Sequence, residues 1–390
     1  MKKLLIVIDS FRIGGITSSL ESLVYLIKKN FNYNIYIQVL NNDIVSIDNV
    51  HIIRTKKFVE VNYLSLNEAR NKDLLTFIIF LFVKSLKTLF GEKPVKYLTF
   101  FLTRKSSFDI VVSFANDIYD KHRQVLLTNL YSKLAVKSLK RVGWIHADPQ
   151  DICITDKIAN ETYKKFDFIV AVSNFQKSKI ASICPSILTK LISIKNFVNC
   201  ENLIEKSNLS MPFTIDNKVK ILTVARVEFK TKALDRIITI VNKLLESNIK
   251  NFDWNIIGDG VDFNILKKMV EDHKLENYIH LLGEKSNPYP YMKYSDLFVL
   301  PSKFEAFPMV IIESQCLKLP SLITKYPSSI EQISHGINGI IVENNVQDIF
   351  EQLLIILSDK KYIRFKKNLM STTFENDKDS LKNLEIVLRT

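Results

Sequence analysis

Four cysteines, Cys153, Cys184, Cys200 and Cys316, lie far apart and form no CxxC pair. A disulfide-stapled secreted module and a structural zinc site are therefore not expected, and a reduced compartment is the simpler setting. Long apolar runs are also missing. The longest, Leu74 to Val83, has ten residues, well short of the roughly 20 that cross a bilayer. The run after Met1-Lys2-Lys3 stops at Asp9, too early for a signal peptide. No GxGxxG follows the first strand candidate, which argues against an ordinary dinucleotide site. No DxD-type pair sits in a convincing loop, no RNA- or DNA-binding motif is visible, and there is neither an internal repeat nor a low-complexity tail.

What is present is a globular composition, 47% apolar and 24% charged, in 390 residues. That length exceeds what one core fills, so two domains are expected. The net charge of +13 is unevenly spread: residues 1–200 hold 29 Lys and Arg against 16 Asp and Glu, whereas residues 201–390 hold 25 of each. One half of the chain is thus built to meet an anionic surface, whether membrane, nucleic acid or a phosphate-bearing substrate.

The stretch Ser302-Lys303-Phe304-Glu305-Ala306-Phe307-Pro308-Met309-Val310-Ile311-Ile312-Glu313-Ser314 lies between two apolar strand candidates, Leu297 to Leu300 and Ser321 to Thr324. It reads as strand, tight loop, helix and strand. Pro308 suits the first helical position, where a missing N–H costs nothing, so Glu305 falls in the loop and Glu313 in the second helical turn. The first turn of a helix offers unpaired N–H groups and partial positive charge to a phosphate. Two acids eight residues apart on one helix would be separated by about 12 Å, too far to share a metal. They suit hydroxyls at the two ends of one long ligand, as in a sugar joined to a nucleoside through a diphosphate.

This segment resembles the Glu-x7-Glu motif of retaining glycosyltransferases of family 4, the glycosyl transferases group 1. The resemblance implies an α/β chain of the GT-B fold: two Rossmann-like, doubly wound domains facing a central cleft. The alternation of strand and helix patterns agrees. The expected divisions are residues 1–200 as the acceptor-side domain, 201–217 as a linker around Pro212, 218–365 as the nucleotide-sugar domain, and 366–390 as a C-terminal helix crossing back to the first domain.

Further motifs carry the resemblance. Gly14-Gly15, between the first strand, Leu4 to Asp9, and the helix pattern Ser18 to Lys29, resembles the family's N-terminal Gly-Gly loop. His146 closes the strand candidate Arg141 to His146 and resembles the histidine that approaches the donor sugar. Ser173 is a candidate N-cap. Arg226, at the end of the strand Val219 to Arg226, and Lys232, at a helix start, resemble the Arg…Lys-Gly pair that holds the donor diphosphate. Ala233 stands where the family has Gly, and Lys230 competes for the lysine role. Gly258-Asp259-Gly260 is a glycine turn after the next strand. Glu284 and Lys285 lie where the family's backbone meets the base. The donor set so implied is Gly14, Gly15, Arg226, Lys232, Gly258, Glu284, Lys285, Glu305, Ala306, Phe307, Pro308 and Glu313, with Arg226, Lys232, Glu305 and His146 in catalytic roles. Ser329 to Val342 resembles the family's Glu-Ile-Ile…Gly-x-x-Gly turn.

The resemblance implies a hexosyltransferase with a UDP- or GDP-linked donor. The acceptor is a growing, lipid-linked glycan of a capsule, lipopolysaccharide or exopolysaccharide. Configuration is retained, no cofactor is needed beyond the nucleotide sugar as co-substrate, and no metal is required. The expected site of action is the cytoplasm, at the inner face of the membrane. Between Glu60 and Lys105 a run rich in Leu, Phe and Lys reads either as a buried helix or as a basic element resting on an anionic membrane. Two rivals stay open: a GT-B epimerase acting on the nucleotide sugar, and a non-catalytic nucleic-acid binder, against which the dispersed lysines argue. Nucleic acid is accordingly not expected as a partner.

Overall fold

The computed structural model describes the chain apart from residues 12–13, 42, 44–46, 63, 65, 102–105, 116–117, 120–123, 126–127, 215 and 390. Two compact units are present: residues 1–197 with 377–390, and residues 198–376.

In the first unit the strands are β1 (Lys2–Ile8), β2 (Tyr33–Val39), β3 (His51–Arg54), β4 (Ser106–Ser113), a short pair β5 (Ile118–Tyr119) and β6 (Gln124–Val125), then β7 (Val136–Ile145), β8 (Phe168–Ala171) and β9 (Leu191–Ser193). Seven of them form one sheet in the order β3-β2-β1-β4-β7-β8-β9, with parallel pairing throughout. Continuous burial explains the sequence pattern. Leu4 to Ile8 and Ile169 to Ala171 are apolar at every position because helices cover both faces of such a sheet. Ser173 caps the helix Asn174–Ile183, its Oγ accepting from the Gln176 N–H at 3.0 Å.

In the second unit the strands are β10 (Val219–Val224), β11 (Phe252–Ile257), β12 (Ile279–Leu281), β13 (Leu297–Leu300), β14 (Ser321–Thr324) and β15 (Gly339–Val342). The sheet is parallel, ordered β12-β11-β10-β13-β14-β15. Its core centres on Trp254, whose indole N–H donates to Thr223 Oγ1 at 3.0 Å, so that the one polar group of the ring is satisfied inside.

Several expectations are corrected. Cys200 and Cys316 are not separate thiols: the helices Cys200–Ser207 and Met309–Cys316 pack together and pair them in a disulfide, with Cα atoms 5.5 Å apart. Cys200–Ser207, expected within a linker, is a capped helix of the second unit, Asn199 Oδ1 accepting from the Asn202 N–H. The tail divides differently too, with Lys361–Met370 in the second unit and Lys378–Leu388 in the first. Leu74 to Val83 belongs to a longer helix, Leu74–Phe90, that is buried on one side only. Residues 12–13 of the Phe11 to Thr17 turn and 102–105 of the Glu60 to Lys105 stretch lie outside the described residues.

Candidate active site

In a parallel sheet every loop leaving a strand's carboxyl end emerges at one edge, and ligands bind where the strand order reverses. In the second unit that reversal lies between β10 and β13. Arg226 and Lys232 follow β10 and Glu305 follows β13, so the three residues flank the switch point.

They meet there. Glu305 Oε1 accepts from Lys232 Nζ at 2.7 Å and from Ser302 Oγ at 2.7 Å, with the Glu305 side chain only 7% exposed. The loop around Glu305 is held from several directions. Lys303 N–H donates to Thr231 O at 2.8 Å, Asn344 Nδ2 donates to Lys303 O at 3.0 Å, and Arg236 Nη1 donates to Pro301 O at 3.0 Å and Asn344 Oδ1 at 2.6 Å. Gln332 Nε2 donates to Pro308 O at 3.0 Å. The phenol of buried Tyr326 is pushed well above its usual range by burial and, secondarily, by the Glu305 charge.

Lys232 does not begin a helix; it precedes the helix Arg236–Glu246 by four residues, in a turn. Ala233 beside it has φ +53°, the left-handed conformation that glycine adopts freely. The backbone thus keeps the shape of a Lys-Gly turn with alanine in it. Lys230, by contrast, has no bond to Glu305 among those of the described residues.

Arg226 is more open, its side chain 66% exposed, with Nη2 donating to Glu228 Oε2 at 3.2 Å. Glu228 is a site residue that motif reading passed over. Thr231 Oγ1 donates to it, and this bond, followed by the charges of Arg226 and Lys232, holds its carboxyl below the usual range. An acid two residues after the strand-end arginine was the available signal.

Gly258 positions this machinery by allowing close approach. A Cβ there would fall 1.9 Å from Ala225 O, and one on Gly260 would fall 2.3 Å from Val227 O. The bonds Ala225 N–H to Ile257 O at 3.0 Å and Val227 N–H to Asp259 O at 3.0 Å press the glycine turn against the backbone around Arg226.

The helix Met309–Cys316 starts one residue after Pro308, which stands at the N-cap rather than at the first helical position. Phe307 is buried and Ala306 half-buried. Glu313 is 4% exposed, and Tyr289 Oη lies 3.5 Å from its Oε1. Glu284, exposed, and Lys285, half-buried, follow β12 at the same sheet edge. Among the described residues no group of His, Cys, Asp and Glu gathers in a way that could hold a metal ion.

The remaining candidates belong to the first unit. Gly14 precedes the helix Gly15–Asn30, and a Cβ on Gly14 would meet open space. His146 directly follows β7, its ring 4.5 Å from Phe114 and stacked 6.3 Å from Trp144. Burial pushes its imidazole down to about 3, so it is neutral at physiological pH.

Residues 207–370 match the family described as Glycosyl transferases group 1. An Escherichia coli UDP-Gal:alpha-D-GlcNAc-diphosphoundecaprenol alpha-1,3-galactosyltransferase is 30% identical over 172 residues, 41% of this chain and 43% of the relative. A Campylobacter jejuni N-acetylgalactosamine-N,N'-diacetylbacillosaminyl-diphospho-undecaprenol 4-alpha-N-acetylgalactosaminyltransferase is 32% identical over 119 residues, 30% of this chain and 33% of the relative. The chain spans about half the length, or less, of the curated relatives it matches. Among solved structures, Anabaena HepE in complex with UDP and glucose superposes with a TM-score of 0.69 at 15% identity, covering 99% of both chains. The lipopolysaccharide outer core galactosyltransferase WaaB, in its apo form, gives 0.61 at 18% identity, covering 100% of this chain and 99% of that one. Through residues 207–370 this chain belongs to the Glycosyl transferases group 1 family, and its two parallel α/β units are those of the GT-B glycosyltransferase fold.

Proposed function

We propose that this protein is a retaining hexosyltransferase that moves a hexosyl group from a UDP- or GDP-linked donor to a hydroxyl of a growing, lipid-linked cell-surface glycan. The observation that carries the reading is the Lys232–Glu305 pair, 2.7 Å apart at the sheet's switch point with Arg226 beside it. The relatives' names support the class of substrates: two act on diphosphoundecaprenol-linked sugars, and HepE binds UDP and glucose.

In this reaction a diphosphate departs while positive charge grows on the sugar ring. Arg226 and Lys232 stabilise the departing phosphates, with helix N–H groups after Pro308 adding fixed dipoles. No metal is needed for that charge role. Glu305, fixed by Lys232 and Ser302, orients the donor hexose. Glu313 accepts from the ribose hydroxyls. Neutral His146 serves the sugar as a hydrogen-bond partner rather than as a cation. The acceptor waits at the inner face of the cytoplasmic membrane; in that reducing compartment Cys200 and Cys316 would stand as adjacent thiols.

The test begins with a thermal-shift screen of UDP- and GDP-sugars, since a ligand of the native state raises its apparent stability. Arg226→Ala and Lys232→Ala are each expected to lower turnover by about 10²–10³, with Lys230→Ala near wild type. If Lys230→Ala is the damaging change, the lysine assignment is wrong. Calorimetry with the nucleoside diphosphate alone separates the acids: Glu313→Gln weakens binding, whereas Glu305→Gln leaves it and impairs transfer. Equal losses of binding in both variants remove the division of labour.

A further inference from the structure

The helix Leu74–Phe90 of the first unit carries two opposed faces, and both are apolar. Thr76, Phe80 and Val83 are buried, packed with Val61, Ala69 and Val95. At about 100° per residue these three lie within an arc of about 60°. On the other side Leu74, Leu75, Ile78, Leu81, Phe82 and Leu89 are 45% to 75% exposed and fall within an arc of about 120°. Ser85 alone interrupts that stripe, and no acidic residue occurs between Leu74 and Phe90. The stripe runs for about 22 Å, and the next helix, Glu92–Phe101, adds exposed Tyr97 and Leu98.

The surroundings are basic. Residues 70–105 carry eight Lys or Arg against two Asp or Glu. On the helix itself, exposed Lys84 borders the stripe, its ammonium 6.0 Å from the Phe80 ring, and Lys87 follows one turn later.

We infer that this face docks the first unit on an anionic lipid bilayer, the helix lying in the plane of the interface with its stripe among the acyl chains and Lys84 and Lys87 at the phosphates. Charge selects this occupant. A second copy of the chain would bring one lysine rim against another, and a nucleic acid would satisfy the lysines while leaving six large apolar side chains in water. A bilayer of anionic lipid takes both. Among the described residues no helix is long and apolar enough to cross a membrane, so the contact is peripheral. The inference deepens the acceptor side of the proposed function by naming the surface on which a lipid-linked acceptor would be met, but it stands on this helix rather than on the chemistry.

The experiment is co-sedimentation of the full chain with vesicles of phosphatidylglycerol and phosphatidylcholine, and with phosphatidylcholine alone, without nucleotide sugar. Binding to the anionic vesicles, weakened by salt, is expected. Each basic residue near the surface contributes about fivefold, so the Lys84→Gln, Lys87→Gln double variant loses roughly tenfold or more. The Leu75→Ser, Phe82→Ser double variant loses at least as much while its melting temperature stays put, because both side chains are exposed in the free protein. Ile265→Ser, an exposed apolar position of the second unit, is the unchanged control. No binding to anionic vesicles at low salt overturns the inference, as does equal binding by the Leu75→Ser, Phe82→Ser variant. A dimer in light scattering that this variant abolishes, in a protein that ignores vesicles, shows that a second copy covers the face. Nucleotide-sugar affinity is measured separately, so failure of either reading leaves the other standing.

Discussion

His146 shows how burial chooses a protonation state. The folded imidazole titrates at about 3 because burial disfavours its cation, whereas the unfolded chain's ordinary value is 6.5. Between these two values the unfolded state binds more protons. Stability from this site is therefore full above pH 6.5 and falls as pH drops from 6.5 towards 3, by up to about 1.4 kcal/mol per unit. The expected outcome for His146→Phe is a flatter denaturant midpoint against pH across that window; an unchanged slope would show that the ring is solvated as a cation. The residue scale also explains why Ala233 is accepted. A left-handed alanine costs about 1–2 kcal/mol, but glycine would lose a buried methyl worth about 0.8 kcal/mol and about 0.5–1 kcal/mol of chain entropy. The terms nearly cancel, so the turn keeps its shape with either residue.

At the scale of elements, the site depends on loops held against each other by backbone. Gly258→Ala would push a methyl into Ala225 O, and no flexible side chain is there to yield. Overpacking of this kind typically costs about 1–3 kcal/mol, and here the strand-end backbone beside Arg226 must move. Thermal melting is expected to fall, and nucleotide affinity to fall by more than stability alone explains. A variant that melts lower but binds UDP normally would mean that Arg226 is placed independently of the glycine turn. A second element-scale device lies at the opposite, amino-terminal end of the same sheet. Asp253 Oδ2 meets Lys220 Nζ at 2.6 Å, and its Oδ1 meets Lys218 Nζ at 2.9 Å and His280 Nε2 at 3.3 Å. Burial opposes the charge, but these three bonds outweigh it and hold the carboxyl below its usual range.

The whole molecule closes its first unit with residues from the far end of the chain. Leu384, Val387 and Leu388 of the helix Lys378–Leu388 are buried, Asn383 Nδ2 donates to Ser193 O at 2.9 Å, and Lys195 Nζ pairs with Asp377 at 3.0 Å. Three such side chains at about 1.5–3 kcal/mol each make the helix worth roughly 5 kcal/mol to that unit. Deleting residues 377–390 is expected to lower one calorimetric transition, that of the first unit, and to leave the transition of residues 198–376 in place. A single transition that shifts as a whole would show that the units unfold together.

The strands Leu297 to Leu300 and Ser321 to Thr324 could be read residue for residue, because a parallel strand buried on both faces writes itself as an unbroken apolar run between turn residues. Glu305, Arg226 and Lys232 were legible for a related reason: a strand end, a glycine or proline turn and a helix start are local signals, and the family motif rides on them. What local signals do not contain is distance across the chain. The Lys232–Glu305 bond joins residues 73 apart, and Cys200 meets Cys316 across 116. Glu228 was hidden because a solvated acid and one set between two cations look alike in sequence. The helix Leu74–Phe90 was ambiguous because apolar residues all round fit a core as well as a surface, and only the packing of Val61, Ala69 and Val95 decided which side is covered. Sequence alone determined the elements, their order and the charge of each half, since these follow from neighbours along the chain. Which loops meet at the switch point, which cysteines pair and which apolar face is left in water were decided by tertiary structure, because each depends on residues that only the fold brings together.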